Sequence, residues 1–469
     1  MWNDATRQSI IMANLNSTFA TLRHRRASQI WLRDPSLALR LIGPDSQLSD
    51  SDSLALSVLA WLSLTYQGDE AKAERVARRA LSIWTSADTR LASAALAEIL
   101  LRRGDNDEAV EVLRAAQRKL PNRCWYVLSI ADALIEGGRV EEAEAVLEPQ
   151  LEHPQLRRHV LKRLSGQALD RGDKERARRW FGELVNLPLV DQYIVYASDY
   201  LTFGDLLIEA GATDEARELW RKAADIYRRD DTIRARLADH FGETIQTPPP
   251  QIASVDESEA HVQRIPVRTP YINARSDMIA LIEEATRELR QPGDVVALAE
   301  SPAANGQGRV ISLELVQPSR TAKFLSRYVG AIGPLHSDEG MQGAIMVAGR
   351  VRVLAGAAAG AVGKALGRSG DFYRVAGRQT AMIDDVAAAV APYDHHLLPG
   401  PAEPDALANR LAAALGCEAA IVDANDLSGA WVIGASPGVD REWLERALID
   451  NPAGNEDERT PVVIVRRTS

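Results

Sequence analysis

A repeated glycine spacing in the first half of the chain constrains the fold more than any other feature. Gly68, Gly104, Gly138, Gly172 and Gly211 follow one another at intervals of 36, 34, 34 and 39 residues. An alanine stands five residues after each of them. Glycine readily adopts the left-handed conformation that ends a helix, and short polar residues favour the start of the next helix. The pattern therefore predicts helix–turn–helix units in which a small alanine lets paired helices approach closely.

A period of about 34 residues built from helix pairs resembles the tetratricopeptide repeat (TPR). Stacked repeats of this kind form a curved solenoid whose concave face binds a peptide or a partner domain. The resemblance implies a TPR-like helical repeat domain over residues 1–245 and a protein or peptide partner for it. The helical pattern before Asp52 predicts a degenerate or capping unit.

A change of composition follows the repeats. Thr247-Pro-Pro-Pro-Gln251 and the acidic stretch after it predict a linker over residues 246–263, because consecutive prolines end a helix and favour extended backbone. Short apolar runs and glycine turns then predict an α+β domain over residues 264–469. The predicted strands are Val295–Glu300, Arg309–Leu315, Ile345–Leu354, Ala419–Asp423, Trp431–Ala435 and Val462–Arg466. The predicted helices are Ser276–Leu289, Pro318–Tyr328, Ala402–Leu415 and Arg441–Asp450.

Charge and hydropathy exclude several classes of function. The net charge is −10 and no basic run is present, so a nucleic-acid partner is not expected. The most apolar run, Val347–Leu366, is interrupted by Arg350, Arg352 and Lys364, so no membrane span is expected. The N-terminus does not resemble a signal peptide. The sequence therefore predicts a cytoplasmic protein with two reduced cysteines, Cys124 and Cys417.

Acidic residues are concentrated in the last hundred residues of the chain. Asp384, Asp385, Asp423 and Asp426 are the candidate metal ligands, and Asp423 directly follows an apolar strand. Mg²⁺ and Mn²⁺ prefer oxygen ligands and often take only one or two carboxylates together with phosphate and water. Helix capping and turn formation are the alternative interpretation of the same residues.

The glycine-rich stretch Gly356–Gly370 does not satisfy the phosphate-binding loop pattern. Ala358 stands where the first glycine is needed, and Ala365 replaces the hydroxyl residue. Two interpretations stay open. One is a flexible loop or closely packed glycine turns, and the other is a contact of Lys364 or Arg368 with an anionic substrate.

The pair His395-His396 could contribute to a site. Adjacent residues of a strand point to opposite faces, so only one of the two imidazoles is expected to serve a site, and His395 is the candidate.

Several short sequence motifs, called words below, occur between Ile265 and Gly438 in a particular order. They are Pro266-Val-Arg-Thr-Pro270, Asp277, Gly293-Asp294, Gly308-Arg309, Pro318-Ser319, Leu397-Leu-Pro399, Pro404-Asp405, Ile421-Val-Asp423 and Ile433-Gly434. Their order resembles that of the coenzyme F420-0:L-glutamate (γ-glutamyl) ligase family. The fold class that follows is multidomain, with an N-terminal all-α TPR-like solenoid and a C-terminal α+β γ-glutamyl ligase-like domain.

The family resemblance implies an enzyme that forms an amide bond with a divalent metal, Mg²⁺ or Mn²⁺, and with GTP or ATP as cosubstrate. It also implies an α+β fold and a homodimer formed through the C-terminal domain. Arg309, Lys364 and Arg374 are the candidates for neutralising phosphate or carboxylate, and His395 and Asn425 for contacting nucleotide or substrate. No catalytic residue is assigned.

Two family words are altered. The nucleotide-contacting word with its arginine is replaced by Asp423-Ala-Asn-Asp426-Leu-Ser-Gly429, and the metal word by Thr380-Ala-Met-Ile-Asp384-Asp385, which keeps only acids. Two hypotheses follow. The first is an amide-forming ligase acting on an unidentified carboxylate or phospho-metabolite with an amino acid. The second is a non-catalytic TPR scaffold or adaptor whose degenerate ligase-like domain senses a ligand.

Overall fold

The structure, a computed structural model, describes most of the chain. The described residues are 18–49, 52–83, 88–188, 195–227, 231–245, 255–258, 260–329, 334–368, 370–377, 380, 383, 394–425, 429–454 and 459–468.

The described part of the N-terminal half is helical. Its α-helices are α1 (residues 18–30), α2 (Pro35–Ile42), α3 (Ser53–Thr65), α4 (Glu70–Ser82), α5 (Arg90–Arg103), α6 (Asn106–Lys119), α7 (Tyr126–Glu136), α8 (Val140–Leu147), α9 (Arg157–Asp170), α10 (Lys174–Val185), α11 (Ala197–Glu209), α12 (Thr213–Ile226) and α13 (Asp231–Phe241). Short 3₁₀ turns lie at Asp45–Gln47 and Glu148–Gln150.

The repeat turns have the geometry that the glycine spacing predicts. All five repeat glycines have φ between 67° and 81°, in the left-handed region. The alanine five residues after each glycine is fully buried. Each glycine joins two consecutive helices, from α3–α4 to α11–α12. The predicted helix–turn–helix units are therefore confirmed.

Two glycines inside helices of this region give a matched test of helix packing. A Cβ on Gly204 of α11 would overlap the indole of Trp220, which is fully buried and donates to the Tyr200 carbonyl at 3.2 Å. A Cβ on Gly166 of α9 would meet nothing within 4 Å. We expect Gly204→Ala to lower the free energy of unfolding by about 1–3 kcal/mol or more, because overpacking forces the indole to move.

Gly166→Ala serves as the control for that change. It should raise stability by up to about 1 kcal/mol, because alanine favours an open helix position over glycine. Urea unfolding of the full chain measures both variants. Equal midpoints for the two variants would contradict the packing of Gly204 against Trp220.

The described part of the C-terminal half contains both strands and helices. The strands are β1 (Val262–Val267), β2 (Val295–Ala299), β3 (Ile311–Ser312), β4 (His396–Leu397), β5 (Glu418–Asn425), β6 (Gly429–Ala435) and β7 (Val462–Arg467). The α-helices are α14 (Met278–Thr286), α15 (Glu300–Gly306), α16 (Arg320–Leu325), α17 (Asp338–Ala348), α18 (Arg350–Ala365), α19 (Asp371–Ala376), α20 (Pro404–Leu415) and α21 (Arg441–Ala447). The 3₁₀ turns are Leu313–Leu315, Ser326–Tyr328 and Pro334–His336.

Five strands form one mixed sheet in the order β1-β7-β2-β5-β6. Strand β7 is antiparallel to both β1 and β2, and β2 is parallel to β5, so β1, β2 and β5 all run in one direction. Strands β3 and β4 form a separate two-stranded sheet. Because three strands of the mixed sheet are parallel, their carboxyl ends meet at the same edge.

Each face of the mixed sheet is covered by helices. One face packs against α14, α15 and α20 in a core that includes Val296, Leu298 and Ile421. The other face packs against α21 in a core that includes Ala420 and Val422. Both faces are buried, which is why β2 and β5 are almost continuously apolar rather than alternating. The predicted combination of an all-α region and an α+β region is confirmed.

One stretch of the second half folds differently from the prediction. Ile345–Leu354 is predicted as a strand and Gly356–Gly370 as a loop or glycine turns, but α17 and α18 cover most of both. Gly356 and Gly360 lie one helical turn apart, and a Cβ on them would stand 2.9 Å from Ala376 Cβ and 3.2 Å from Phe372 Cβ. The glycines therefore form a shallow helix face on which α19 packs.

The described residues divide into two compact units. The first unit contains those before Gln150, those between Ile311 and Val386, and His395–Pro399. The second unit contains those from Gln150 to Val310, Asp394, and those from Gly400 onward. The limits predicted for the repeat domain, the linker and the ligase-like domain stay a prediction.

No single helix of the described ranges is long and apolar enough to cross a membrane. Helices α17 and α18, bent by 116° relative to each other, pass the same length and composition test only as a pair.

Candidate functional site

A row of four polar residues lies at the carboxyl edge of the mixed sheet in the second unit. The β1–β7 register pairs Val267 with Val462, and Thr269 and Thr460 lie two residues beyond these partners, outside the strands. Continuing the β2–β7 and β2–β5 registers sets Glu300 between Thr460 and Asp423. The backbone bond from Ala299 N to Pro461 O at 2.9 Å fits the continued β2–β7 register, whereas the bond from Thr269 N to Arg459 O at 3.0 Å is one residue out of the β1–β7 register.

All four residues lie two positions from a core residue on one face of the sheet, although only Asp423 is itself within a strand and Glu300 is the first residue of α15. Side chains two positions apart on a strand share a face. Thr269, Glu300 and Asp423 each lie two residues after a member of the core against α14 and α20, namely Val267, Leu298 and Ile421. Thr460 stands two residues before Val462 of the same core. We call Thr269, Thr460, Glu300 and Asp423 the edge row.

The edge row supplies oxygen atoms in a partly buried setting. Glu300 and Thr269 are buried, and Asp423 is half-buried. Thr269 Oγ1 donates to Pro270 O at 2.9 Å and Thr460 Oγ1 donates to Ala453 O at 2.6 Å, so both hydroxyl oxygens keep lone pairs for accepting. Neighbouring strands lie about 4.8 Å apart, and Glu300 and Asp423 directly follow the paired residues Ala299 and Val422 of β2 and β5.

Two carboxylates and two hydroxyls fit the chemistry of a hard divalent ion. Mg²⁺ is commonly bound through one or two carboxylates together with substrate phosphates and water. No group of three or more His, Cys, Asp or Glu side chains in the described ranges could hold a metal ion. With two carboxylates and two hydroxyls, the edge row fits an ion shared with a phosphate better than a closed protein cage.

Most of the predicted metal ligands cannot be compared with this row. Asp384, Asp385 and Asp426 lie outside the described residues. Asn425 ends β5, and its side chain lies outside the description. Asp423 belongs to the edge row. The predicted metal site, the nucleotide and the role of Asn425 stay predictions.

Arg309, a predicted phosphate contact, takes part in a structural interaction. Its Nε donates to Gly400 O at 2.8 Å, and burial lowers the pKa of its guanidinium from the usual range. Beside it, Gln307 Nε2 donates to Ala402 O at 3.0 Å and Ala402 N donates to Gln307 Oε1 at 2.8 Å. These bonds attach the segment before α20 to the end of α15.

Two other predicted cations lie in the first unit. Lys364 is exposed in the last turn of α18. Arg374 is exposed on α19, and its Nη1 lies 2.6 Å from Asp371 Oδ1. Arg368 binds the other oxygen of Asp371 at 2.9 Å. Asp371 is buried, so this pairing holds the start of α19 against α18.

His395 is buried within the first unit. Its Nε2 lies 3.2 Å from Ser129 Oγ, which donates to Glu314 Oε1 at 2.8 Å. Its carbonyl accepts from Leu313 N at 3.1 Å. Ser129 thus bridges the imidazole and the carboxylate, with its hydroxyl hydrogen directed to Glu314. It connects α7 to the β3–β4 sheet.

A buried ion cluster in the second unit was not predicted. Arg163 Nη1 and Nη2 donate to the two oxygens of Asp394 at 2.9 and 2.8 Å, and His159 Nδ1 lies 2.8 Å from Asp394 Oδ2. Arg158 Nε donates to His159 Nε2 at 3.2 Å, which requires a neutral imidazole with its proton on Nδ1. Desolvation is the largest cause that lowers the pKa of His159 to about 4.

The neutral His159 should make stability depend on pH. The ordinary pKa of 6.5 is lowered to about 4 in the folded chain, so between these values only the unfolded chain takes up the proton. The free energy of unfolding should therefore fall as pH is lowered from about 6.5 to 4, by at most roughly 3 kcal/mol from this group. Above pH 6.5 it should contribute no slope.

Urea unfolding at a series of pH values measures this dependence. His159→Asn keeps a donor near the position of Nδ1 but does not titrate, so its profile should be flatter than that of the wild type. His336→Asn, at an exposed position, should keep the wild-type slope. A slope unchanged by His159→Asn would contradict the assignment.

Several family words are explained by structural contacts. Asp294 is fully buried and accepts from Arg466 Nε and Nη2, both at 2.8 Å. Asp405 accepts from Ala435 N at 2.9 Å and from Arg441 Nη2 at 2.6 Å, which lowers its pKa. A Cβ on Gly434 would overlap the backbone of Pro404. The Pro-Asp and Ile-Gly words are thus two sides of one close contact between α20 and β6.

Sequence reasoning did not identify Thr269, Glu300 and Thr460 as site residues. The signal was available in part, since Glu300 ends a predicted strand and Thr269 belongs to a family word. Continuing the alternation of each strand by two residues would have nominated them. Grouping them required the strand order and registers.

Comparison with known proteins finds one family resemblance, in the second half of the chain. The family model described as F420-0:Gamma-glutamyl ligase matches residues 266–425. This range begins within β1 and ends with β5, and it includes three members of the edge row. No match was found among curated proteins.

Three solved structures align with this chain with low scores. PilF of Pseudomonas aeruginosa is 21% identical, with 42% of this chain and 94% of that chain covered and a TM-score of 0.29. TTC0263, a TPR protein of Thermus thermophilus, is 18% identical, with 42% and 100% covered and a TM-score of 0.24. The Naa15/Naa10 complex bound to HypK-THB is 16% identical, with 59% and 36% covered and a TM-score of 0.32.

Because these TM-scores are low, the tetratricopeptide-like character depends on the repeat turns and buried alanines described above. Residues 266–425 are thus similar to the F420-0:gamma-glutamyl ligase family, and they share one chain with a tetratricopeptide-like helical region.

Proposed function

We propose that the C-terminal region is a metal- and nucleotide-dependent enzyme that forms an amide bond between a carboxylate substrate and the amine of an amino acid. The edge row, in a segment that matches a ligase family, is the observation that carries this proposal. Glu300 and Asp423 would hold Mg²⁺ or Mn²⁺, with Asp384, Asp385 and Asp426 as further candidate ligands.

The proposed reaction has two steps. The substrate carboxylate oxygen attacks the terminal phosphorus of GTP or ATP and releases the nucleoside diphosphate. The amine then attacks the resulting acyl phosphate, loses a proton and displaces inorganic phosphate. A bound divalent ion would offset the phosphate charge. The residues of the chain would contribute mainly by holding the two substrates in line.

The helical repeats suggest a second role for the same chain. Stacked repeats commonly bind a peptide or a partner domain, so we propose a protein partner for the solenoid. A cytoplasmic location and a homodimer through the C-terminal region remain part of the proposal.

A non-catalytic scaffold with a ligand-sensing domain is the second candidate. It is favoured by the structural use of two predicted phosphate contacts. Arg309 Nε is bonded to Gly400 O, and Arg374 is paired with Asp371. Both would have to release or share these partners to hold a nucleotide.

One experiment on the full chain separates the two candidates. Mn²⁺ binding is followed by paramagnetic resonance, and phosphate release from GTP or ATP is followed with a panel of amino acids and dicarboxylates. Phosphate release that needs metal, nucleotide and amino acid supports the ligase. Metal or nucleotide binding without any turnover supports the sensor. Absence of both would overturn the ligase proposal.

A further inference from the structure

A cavity of about 370 Å³ lies within the first unit. Helix α1 and the turn after it line one side, and residues between Leu315 and Arg350 line the other. Its volume lies within the roughly 300–1,000 Å³ of small-molecule pockets. Trp31, Ile345 and Met346 supply apolar surface.

The polar lining of this cavity is strongly cationic. Arg26, Arg33, Arg90 and Arg350 line it, and no aspartate or glutamate does so in the described part of the chain. Arg90 is paired with Asp88, but within the described ranges Arg26, Arg33 and Arg350 have no ion-pair partner. These three side chains are exposed. The net charge of the chain is −10, so this cavity is a local region of opposite charge.

The wall opposite Arg26 and Arg33 is held in place by other side chains. Arg90 Nη1 donates to Leu315 O at 3.1 Å, and Arg123 Nη1 donates to Val316 O. Ser319 N donates to Gln342 Oε1 at 2.9 Å. The segment 315–319 is thereby fixed against α5 and α17, so the cavity has a defined wall rather than a free loop.

We propose that this cavity binds a small molecule that carries a phosphate group. Guanidinium groups match phosphate with two parallel hydrogen bonds, and a doubly charged oxyanion satisfies several of them at once. The start of α18 adds to this field. Gly349 caps the helix without a side-chain bond, and a Cβ on it would overlap the guanidinium of Arg33. The apolar side chains would contact the body of the molecule.

This site is separate from the edge row and does not depend on the proposed ligase activity. The test uses the full chain in metal-free buffer at fixed ionic strength, with pyrophosphate as the probe and calorimetry as the readout. Glutarate is the matched dicarboxylate. We expect saturable binding of pyrophosphate and at least tenfold weaker binding of glutarate.

Charge-removing variants locate the binding. Arg33→Gln combined with Arg350→Gln should weaken pyrophosphate binding roughly 10- to 100-fold, because each removes a hydrogen bond to a charged group. Arg25→Gln, on α1 but outside the cavity lining, should change it less than twofold. Asp423→Asn should also leave it unchanged, which separates this site from the edge row.

The proposal is overturned by any of three results. These are absence of saturable binding to the wild type, equal affinity in the double variant and in Arg25→Gln, or glutarate binding as tightly as pyrophosphate. Circular dichroism of each variant verifies that its helical content is unchanged.

Discussion

Replacing Arg163 by Met is expected to lower the free energy of unfolding of the second unit by about 3–5 kcal/mol. The side chains of Arg163 and Asp394 are almost completely excluded from solvent, and they are joined by two charge-assisted hydrogen bonds. Methionine has a similar reach but cannot neutralise the carboxylate. After the change, the cluster of Arg163, His159 and Asp394 offers the buried carboxylate of Asp394 only the neutral His159 as a polar partner.

Two further variants establish the cause. Arg157→Met changes an arginine of the same helix whose ion pair with Glu183 is solvent-exposed, so it should cost less than about 1 kcal/mol. Combining Arg163→Met with Asp394→Leu should recover much of the lost stability, because a buried ion pair can often be replaced by apolar residues at little cost. Urea unfolding followed by circular dichroism measures all of them. Equal losses in Arg163→Met and Arg157→Met would refute the assignment.

The second large effect concerns the edge row. We expect Asp423→Asn and Glu300→Gln each to weaken Mn²⁺ binding, because each change removes a proposed direct ligand of the ion. Loss of an outer-sphere partner typically weakens metal binding roughly 10–100-fold, and the loss of a direct ligand should weaken it more. Turnover, if phosphate release is observed in the wild type, should fall at least as much. The amides keep nearly the same shape, so folding should be retained.

Glu442→Gln is the matched control for these two variants. Glu442 is a highly exposed acid on α21 and does not belong to the edge row. It should leave Mn²⁺ affinity and turnover within about twofold of the wild type, because an exposed charge far from a site is largely screened. Unchanged Mn²⁺ affinity in both Asp423→Asn and Glu300→Gln would exclude the edge row as the metal site.

The sequence predicted the local structure best at positions where the backbone conformation or the packing requires one particular residue type. The left-handed glycines and buried alanines of the repeats are local requirements, and their spacing predicted the helix pairs without knowledge of the rest of the fold. The strands β2, β5, β6 and β7 were also predicted to within a few residues, because buried strands are short apolar runs bounded by turns.

The prediction was wrong where an apolar run lacks a clear period. Ile345–Leu354 contains enough branched residues to suggest a strand, yet α17 and α18 divide it. Helix α18 is stabilised in part by packing of α19 onto Gly356, Gly360 and Gly363. This contact depends on a later segment, so tertiary packing overrides the weak local preference.

By itself, the sequence determined the repeat period, the all-α and α+β halves, and the ordered words of a ligase family. The tertiary structure alone decided which polar residues meet. The edge row joins positions from Thr269 to Thr460, and the cluster around Asp394 joins residues more than 200 positions apart. The physical reason is that strand register and helix docking are set by non-local pairing and burial, and local residue patterns do not encode those partners.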